Sequence, residues 1–178
     1  MKSIILVGYM CAGKTTVGKA LAERLGLRFY DLDWYIETRF CKRVPQIFAE
    51  QGEAHFRKIE RSMLHEVAEF EDIVLSCGGG TPCFFDNMDY MNAVGHTFYL
   101  RASAATLLSH LSMSRGERPL LKDKTSEELA AYVETQLAAR APFYERAQHI
   151  VDIDVLDEAE KIDRIATQIS GLVEAHEK

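Results

Sequence analysis

Gly8-Tyr9-Met10-Cys11-Ala12-Gly13-Lys14-Thr15 fits the pattern G-x-x-x-x-G-K-[ST] at every fixed position. The five residues before it that form Ser3-Ile4-Ile5-Leu6-Val7 are mostly apolar and β-branched, and they read as a buried strand. After it, Val17, Ala20, Leu21 and Leu25 recur at helical spacing. Strand, glycine loop and helix together make an anion site, because loop N–H groups and the helix N-terminus point at phosphate oxygens. In that arrangement Lys14 reaches the β- and γ-phosphates and the Thr15 hydroxyl ligates Mg²⁺. The alternative is a chance glycine turn before a helix, which the flanking strand and helix argue against.

The remaining composition narrows the partner. A chain of 178 residues holds one domain with a full core. Its net charge of −6 argues against a broad basic surface for nucleic acid. It leaves room for ATP, whose phosphates need only a local cluster of N–H groups, Lys and Arg. No apolar run approaches the roughly 20 residues that cross a membrane, and the N-terminus leads straight into a strand, unlike a signal peptide. Cys11, Cys41, Cys77 and Cys83 have no metal-ligand spacing. Free thiols in a reducing, cytoplasmic setting are the expectation.

Downstream, strand-like and helix-like segments alternate. Strands are expected at 28–33, 72–77, 97–101 and 149–153. Helices are expected at 34–40, from Pro45 to Gln51, then at 53–69, 86–94, from Ser103 to about Leu111, from a Ser126 cap, and at 157–175. Ser112 to Lys124 reads as a polar surface loop, and Pro142 as a helix break or kink. Alternation of this kind implies an α/β fold with a parallel sheet covered on both faces. Ligands in such sheets sit beyond the carboxyl ends of the strands.

Four clusters carry candidate chemistry. Asp31-Leu32-Asp33 places two carboxylates on one side of an extended strand end, suited to Mg²⁺ and to an acceptor hydroxyl; otherwise Asp33 caps the helix from Trp34. Glu53, Arg57 and Glu60 read from spacing alone as a surface i, i+4 pair with a neighbour, the alternative being Arg57 gripping a substrate carboxylate while Glu60 fixes it. Gly78-Gly79-Gly80 costs more backbone entropy than a turn requires, which points to close approach to a bound ligand. Arg115, Arg118, Lys122 and Lys124 concentrate positive charge in one loop, as a closing lid would.

Taken together with Ile47-Phe48, Gly52-Glu53, Arg118-Pro119-Leu120-Leu121 and Arg140 through Tyr144, these pieces resemble the shikimate kinases over nearly the whole chain. The resemblance implies a P-loop kinase, a single domain spanning 1–178. It implies a five-stranded parallel sheet in the order 2-3-1-4-5, a substrate region at about 33–61 and a short lid at about 112–124. It implies transfer of the γ-phosphoryl group of MgATP to the 3-hydroxyl of shikimate, within aromatic amino acid biosynthesis, by a monomer. ATP would lie on Gly8, Cys11, Ala12, Gly13, Lys14, Thr15 and Thr16, with Arg115 and Arg118 from the lid. Mg²⁺ would be held by Thr15 and Asp31. Asp33 would contact the ring hydroxyls and take the proton, Arg57 and Arg140 would hold the carboxylate, and Gly78, Gly79 and the Gly80 N–H would seat the ring. Lys14, Asp33 and Arg118 would carry the catalysis. Other small-molecule kinases of this architecture, acting on gluconate or nucleotides, and an ATP-binding module without transfer activity are the competing readings.

Overall fold

The computed structural model describes residues 3–113 and 125–176. β1 (Ser3–Val7) is buried at every position and lies at the centre of a five-stranded sheet. Its neighbours are β3 (Ile73–Ser76) and β4 (Gly95–Ala102), while β2 (Arg28–Asp31) and β5 (His149–Ile153) form the edges. Every pairing is parallel, as the alternating pattern implies, and the order is 2-3-1-4-5, as the resemblance implies. Central strands without polar alternation are what a sheet covered on both faces requires. Ile4, Ile5, Leu6, Ile73, Leu75 and Phe98 supply its fully buried core.

Helices α1 (Lys14–Leu25) and α2 (Leu32–Phe40) follow the first two strands directly. α3 (Val44–Ala68) is two helices joined at Gly52, whose φ of 77° and ψ of 167° belong to a region essentially reserved for glycine. The expected stop at Gln51-Gly52 is therefore real, with the second segment starting at Glu53. A 3₁₀ turn (Thr81–Cys83), α4 (Asn87–Val94), α5 (Ala104–Met113), α6 (Ser126–Tyr144) and α7 (Ala159–His176) complete the described residues. No helix among them is long and apolar enough to cross a membrane.

Four local expectations are corrected. The second strand ends at Asp31, so Asp31 and Asp33 do not share an extended segment. Asp31 caps α2, its carboxylate accepting from the N–H groups of Asp33 and Trp34, and Asp33 lies in the first turn. Thr125, not Ser126, caps α6, in a reciprocal box with Glu128. α6 also runs through Pro142 to Tyr144. A proline so near the end removes one N–H bond where few remain to be lost. Finally, α5 extends to Met113 and takes in Ser112. The remainder of the expected lid, with Arg115 and Arg118, lies outside the described residues.

Candidate active site

The carboxyl ends of β1, β2 and β3 open into one cleft of about 920 Å³. It is lined by Lys14, Thr15 and Thr16 from the glycine loop and α1, Asp31 and Asp33 from the start of α2, Arg57 and Glu60 from α3, Gly78–Gly80, and Arg140 from α6. Of the described residues to which the sequence assigns a site role, all but Gly8 and Ala12 line this cleft, although more than 120 positions separate Lys14 from Arg140.

The loop is held in shape by its backbone. Gly13 precedes α1 in the left-handed region, with φ 84°, where any other residue would be strained, and a Cβ there would also press on the Leu156 side chain at 2.4 Å. The Lys14 ammonium folds back on the loop, donating to the carbonyls of Gly8 and Tyr9, each at 2.8 Å. Burial pushes Lys14 down to about 8, against the pull of Asp33, Cys77 and Asp31. A phosphate arriving here meets a cation that is already desolvated and aimed by the loop itself.

Beside it the Thr15 hydroxyl donates to an Asp31 carboxylate oxygen at 2.9 Å. Asp31 therefore does two jobs at once: one oxygen caps α2 and the other faces Thr15. No group of three or more His, Cys, Asp or Glu side chains able to hold a metal occurs among the described residues. A hydroxyl and one carboxylate suit Mg²⁺, which keeps several waters and takes further oxygens from substrate phosphates.

Asp33 faces the same space under different conditions. Burial pushes its carboxyl up to about 6, with Asp31 and Glu60 adding to the rise and Lys14 opposing it. The cap and the first turn of α2 thus supply two carboxylates in different settings, one anchored by helix N–H groups and one less solvated and poised near neutrality.

On the far side, Arg57 is 9% exposed and Glu60 only 1%. Arg57 donates to Glu60 at 2.8 Å and to Glu53 at 3.0 Å, so the expected i, i+4 pair exists but the buried partner is Glu60. The other Glu60 oxygen accepts from the Thr81 hydroxyl at 2.7 Å. The guanidinium also lies over the rings of Phe84, Phe56 and Phe48, at 4.2, 5.3 and 5.7 Å from their centroids. Arg140 is held differently: it lies 5.5 Å over the Tyr9 ring. Among the described residues it has no carboxylate partner.

The glycine turn links these parts. A Cβ at Gly78 would lie 2.9 Å from Asp33 Oδ1, and one at Gly80 would lie 2.6 Å from Arg57 Nη2. A Cβ at Gly79 would come within 3.2 Å of the Met10 amide nitrogen in the phosphate loop. Each glycine leaves room for a group of the protein itself, a need the sequence reading assigned to the ligand.

Two participants escaped the sequence reading. The Leu156 N–H donates to His110 Nε2 at 2.7 Å, which puts the neutral ring's proton on Nδ1, facing the Cys11 carbonyl at 2.8 Å. His110 thereby ties the last turn of α5 to the phosphate loop and to the segment after β5. The buried Tyr144 hydroxyl donates to the Gly79 carbonyl at 2.5 Å. A histidine in an apolar helix and a tyrosine after a proline carry no local signal for either contact.

Comparison with known proteins agrees with this geometry. A model of the family described as "SKI: Shikimate kinase" matches residues 10–170. A shikimate kinase of Bacteroides fragilis is 50% identical over 176 residues, covering 99% of this chain and 98% of that protein. The crystal structure of shikimate kinase from Bacteroides thetaiotaomicron superposes with a TM-score of 0.95 at 48% identity, covering 97% of this chain and 98% of the other. That of the Acinetobacter baumannii enzyme, in complex with shikimate, does so with a TM-score of 0.86 at 32% identity, covering 99% and 94%. Identity at this level, carried across nearly the full length of both chains, leaves a single assignment: the chain belongs to the shikimate kinase family, ATP-dependent small-molecule kinases.

Proposed function

We infer that the chain transfers the γ-phosphoryl group of MgATP to the 3-hydroxyl of shikimate, yielding shikimate 3-phosphate and ADP. The observation that carries this reading is the single cleft in which a phosphate loop and an acid-binding wall face each other across Asp33. Lys14 and the loop amides hold the β- and γ-phosphates. Thr15 and Asp31 would hold Mg²⁺, which would supply charge neutralisation to the phosphates. Asp33 accepts a hydrogen bond from the attacking hydroxyl. As that oxygen bonds to the γ-phosphorus, the bond from phosphorus to the β–γ bridging oxygen breaks, ADP departs with the electron pair, and the hydroxyl proton passes to the Asp33 carboxylate.

In a loose transition state, placement and charge neutralisation outweigh a strong base. Lys14 and the lid's Arg118 therefore dominate the rate, with Arg115 on the nucleotide side. Arg57 and Arg140 set selectivity by taking the acceptor's carboxylate, and the glycine turn seats its ring. The fit of charge supports this: a compact acid with three hydroxyls needs a carboxylate at one end and guanidinium groups at the other.

An ADP-release assay across shikimate, gluconate and nucleoside monophosphates tests the reading. Turnover confined to shikimate is expected. Turnover with another acceptor and none with shikimate would overturn it, as would tight ATP binding with no acceptor turned over.

A further inference from the structure

His110, in the last turn of α5, is held at both ring nitrogens by backbone groups from two other segments. A backbone N–H only donates, so Nε2, 2.7 Å from the Leu156 nitrogen, is the acceptor. A carbonyl only accepts, so Nδ1, 2.8 Å from the Cys11 oxygen, carries the hydrogen.

Cys11 has need of such a hold. Its φ of 62° lies in the left-handed region, which residues other than glycine seldom adopt. In a planar trans peptide the Cys11 carbonyl and the Ala12 N–H point in opposite directions. With the carbonyl turned out to His110, the Ala12 N–H faces across the loop and donates to the Tyr9 carbonyl at 3.2 Å. Flipping this one peptide would break both bonds and swing a carbonyl oxygen into the loop. That oxygen would face the Tyr9 carbonyl, to which Lys14 already donates, and would repel an incoming phosphate. The Leu156 bond acts from the other side: the Leu156 side chain packs on Gly13, so the segment after β5 is latched over the loop. Cys11, Gly13, His110 and Leu156 all line the cleft, and none belongs to α3 or the glycine turn, which build the acid-binding wall.

We propose that His110 is a positioning residue for the nucleotide: its Nδ1–H keeps the Cys11–Ala12 peptide in the orientation that leaves the loop open to an anion. It thereby sets affinity for the phosphates of ATP and ADP and takes no part in recognising the acceptor. A loop whose competent conformer is only partly populated loses affinity by that fraction. The proposal rests on the reading that nucleotide phosphates lie on the Gly8–Thr15 loop.

The test compares His110→Asn, His110→Gln and His110→Phe by ADP affinity in titration calorimetry and by the shikimate KM. Asn places its amide where Nδ1 stands and keeps the donor to Cys11. Gln places its amide where Nε2 stands and keeps only the acceptor for Leu156. Gln should weaken ADP binding about fivefold, the size of one neutral hydrogen bond, and Phe at least as much. Asn should recover ADP affinity to within about twofold of the unaltered chain. The shikimate KM should change less than about twofold in all three. Asn binding no tighter than Gln, or Gln binding as tightly as the unaltered chain, would overturn the proposal, and this contrast is readable even if the Phe variant does not fold. An equal rise in the shikimate KM would overturn it too, by marking a general loosening of the cleft. An unaltered chain that binds no ADP would instead remove the phosphate-loop reading. One that binds ADP without phosphorylating shikimate would remove the acceptor reading and leave the ADP comparison standing.

Discussion

The Arg57 guanidinium packs so closely on Gly80 that a Cβ at that glycine would lie 2.6 Å from Nη2 and 2.8 Å from Cζ. Gly80 itself has ordinary helical backbone angles, φ −88° and ψ −21°, so alanine would suffer no strain of its own there. Within the protein, the group that Gly80→Ala would displace is Arg57. The expected outcome is a shikimate KM raised about tenfold or more with the ATP KM nearly unchanged. Equal changes in both would show that the turn, not the arginine, is what the methyl group disturbs.

Arg57 and Arg140 should separate in stability even where they agree in kinetics. Arg57→Ala strands Glu60, 1% exposed, with only the Thr81 hydroxyl as partner among the described residues. Removing one member of a buried pair costs about 3–5 kcal/mol. Arg140→Ala leaves no buried carboxylate among the described residues and should cost no more than about 1 kcal/mol. Urea midpoints of the two variants decide this, and Arg57→Ala combined with Glu60→Gln should recover part of the loss. Indistinguishable midpoints would contradict the buried pair.

The pH profile of kcat/KM for shikimate should fall on the acid side with an apparent midpoint near the value of about 6 to which Asp33 is pushed. Asp33→Asn should abolish that limb along with most turnover. The stability effect has the opposite direction. A carboxyl raised on folding favours the folded chain below its unfolded value and loses that advantage as pH climbs through about 6. Asp33→Asn should hence be the more stable protein at pH 8, by on the order of 1–2 kcal/mol once residual solvent contact is allowed for. It should lose the margin near pH 4. An acid limb near the ordinary carboxylate value of about 4 would rule Asp33 out as its source.

Much of this arrangement was legible before any coordinates, and the exceptions share a cause. The phosphate loop declares itself because its chemistry is contiguous, and the sheet order accompanies the resemblance it anchors. The roles of Asp31 and Asp33 were blurred because α2 begins at Leu32, and a helix starting there turns the second carboxylate away from the strand direction. Local spacing found the Arg57–Glu53 pair but not that Glu60 is the buried partner, since Thr81 and Phe84 arrive from a different segment of the chain. His110 and Tyr144 were invisible for a related reason. Each bonds backbone groups far along the chain, and backbone groups leave no trace in a residue pattern.

Lys14 supplies an alkaline counterpart to Asp33. Burial brings it down to about 8, so kcat/KM for ATP should decline above about pH 8. Bound phosphate, by its opposite charge, raises Lys14 again, and the kcat profile should decline at higher pH than the kcat/KM profile. Lys14→Met should lower kcat by at least about 10²-fold. An ATP profile flat to pH 10 would show that Lys14 keeps its proton in the free enzyme.

Two glycines with open space around them should respond in opposite directions. Gly52 and Gly171 both have nothing within 4 Å of a Cβ position. Gly52→Ala forces a side chain into φ 77°, ψ 167° and should cost about 1–3 kcal/mol. Gly171→Ala, inside α7 with no such backbone, should gain about 0.5–1 kcal/mol. Thermal unfolding of the two variants checks the pair, and a matching sign would show that the kink at Gly52 is not a backbone requirement.

The Gly78–Gly80 turn also constrains how this sequence can diverge. Its three missing side chains make way for Asp33, for the loop at Met10 and for Arg57, which come from three separate segments. No single compensating change elsewhere can accommodate a larger residue at all three positions. The stretch immediately after it is restricted as well, since Thr81 bonds the buried Glu60 and Phe84 lies under the Arg57 guanidinium. The three glycines therefore stay locked together, because a change at any one of them must wait for a matching change in a different segment of the chain.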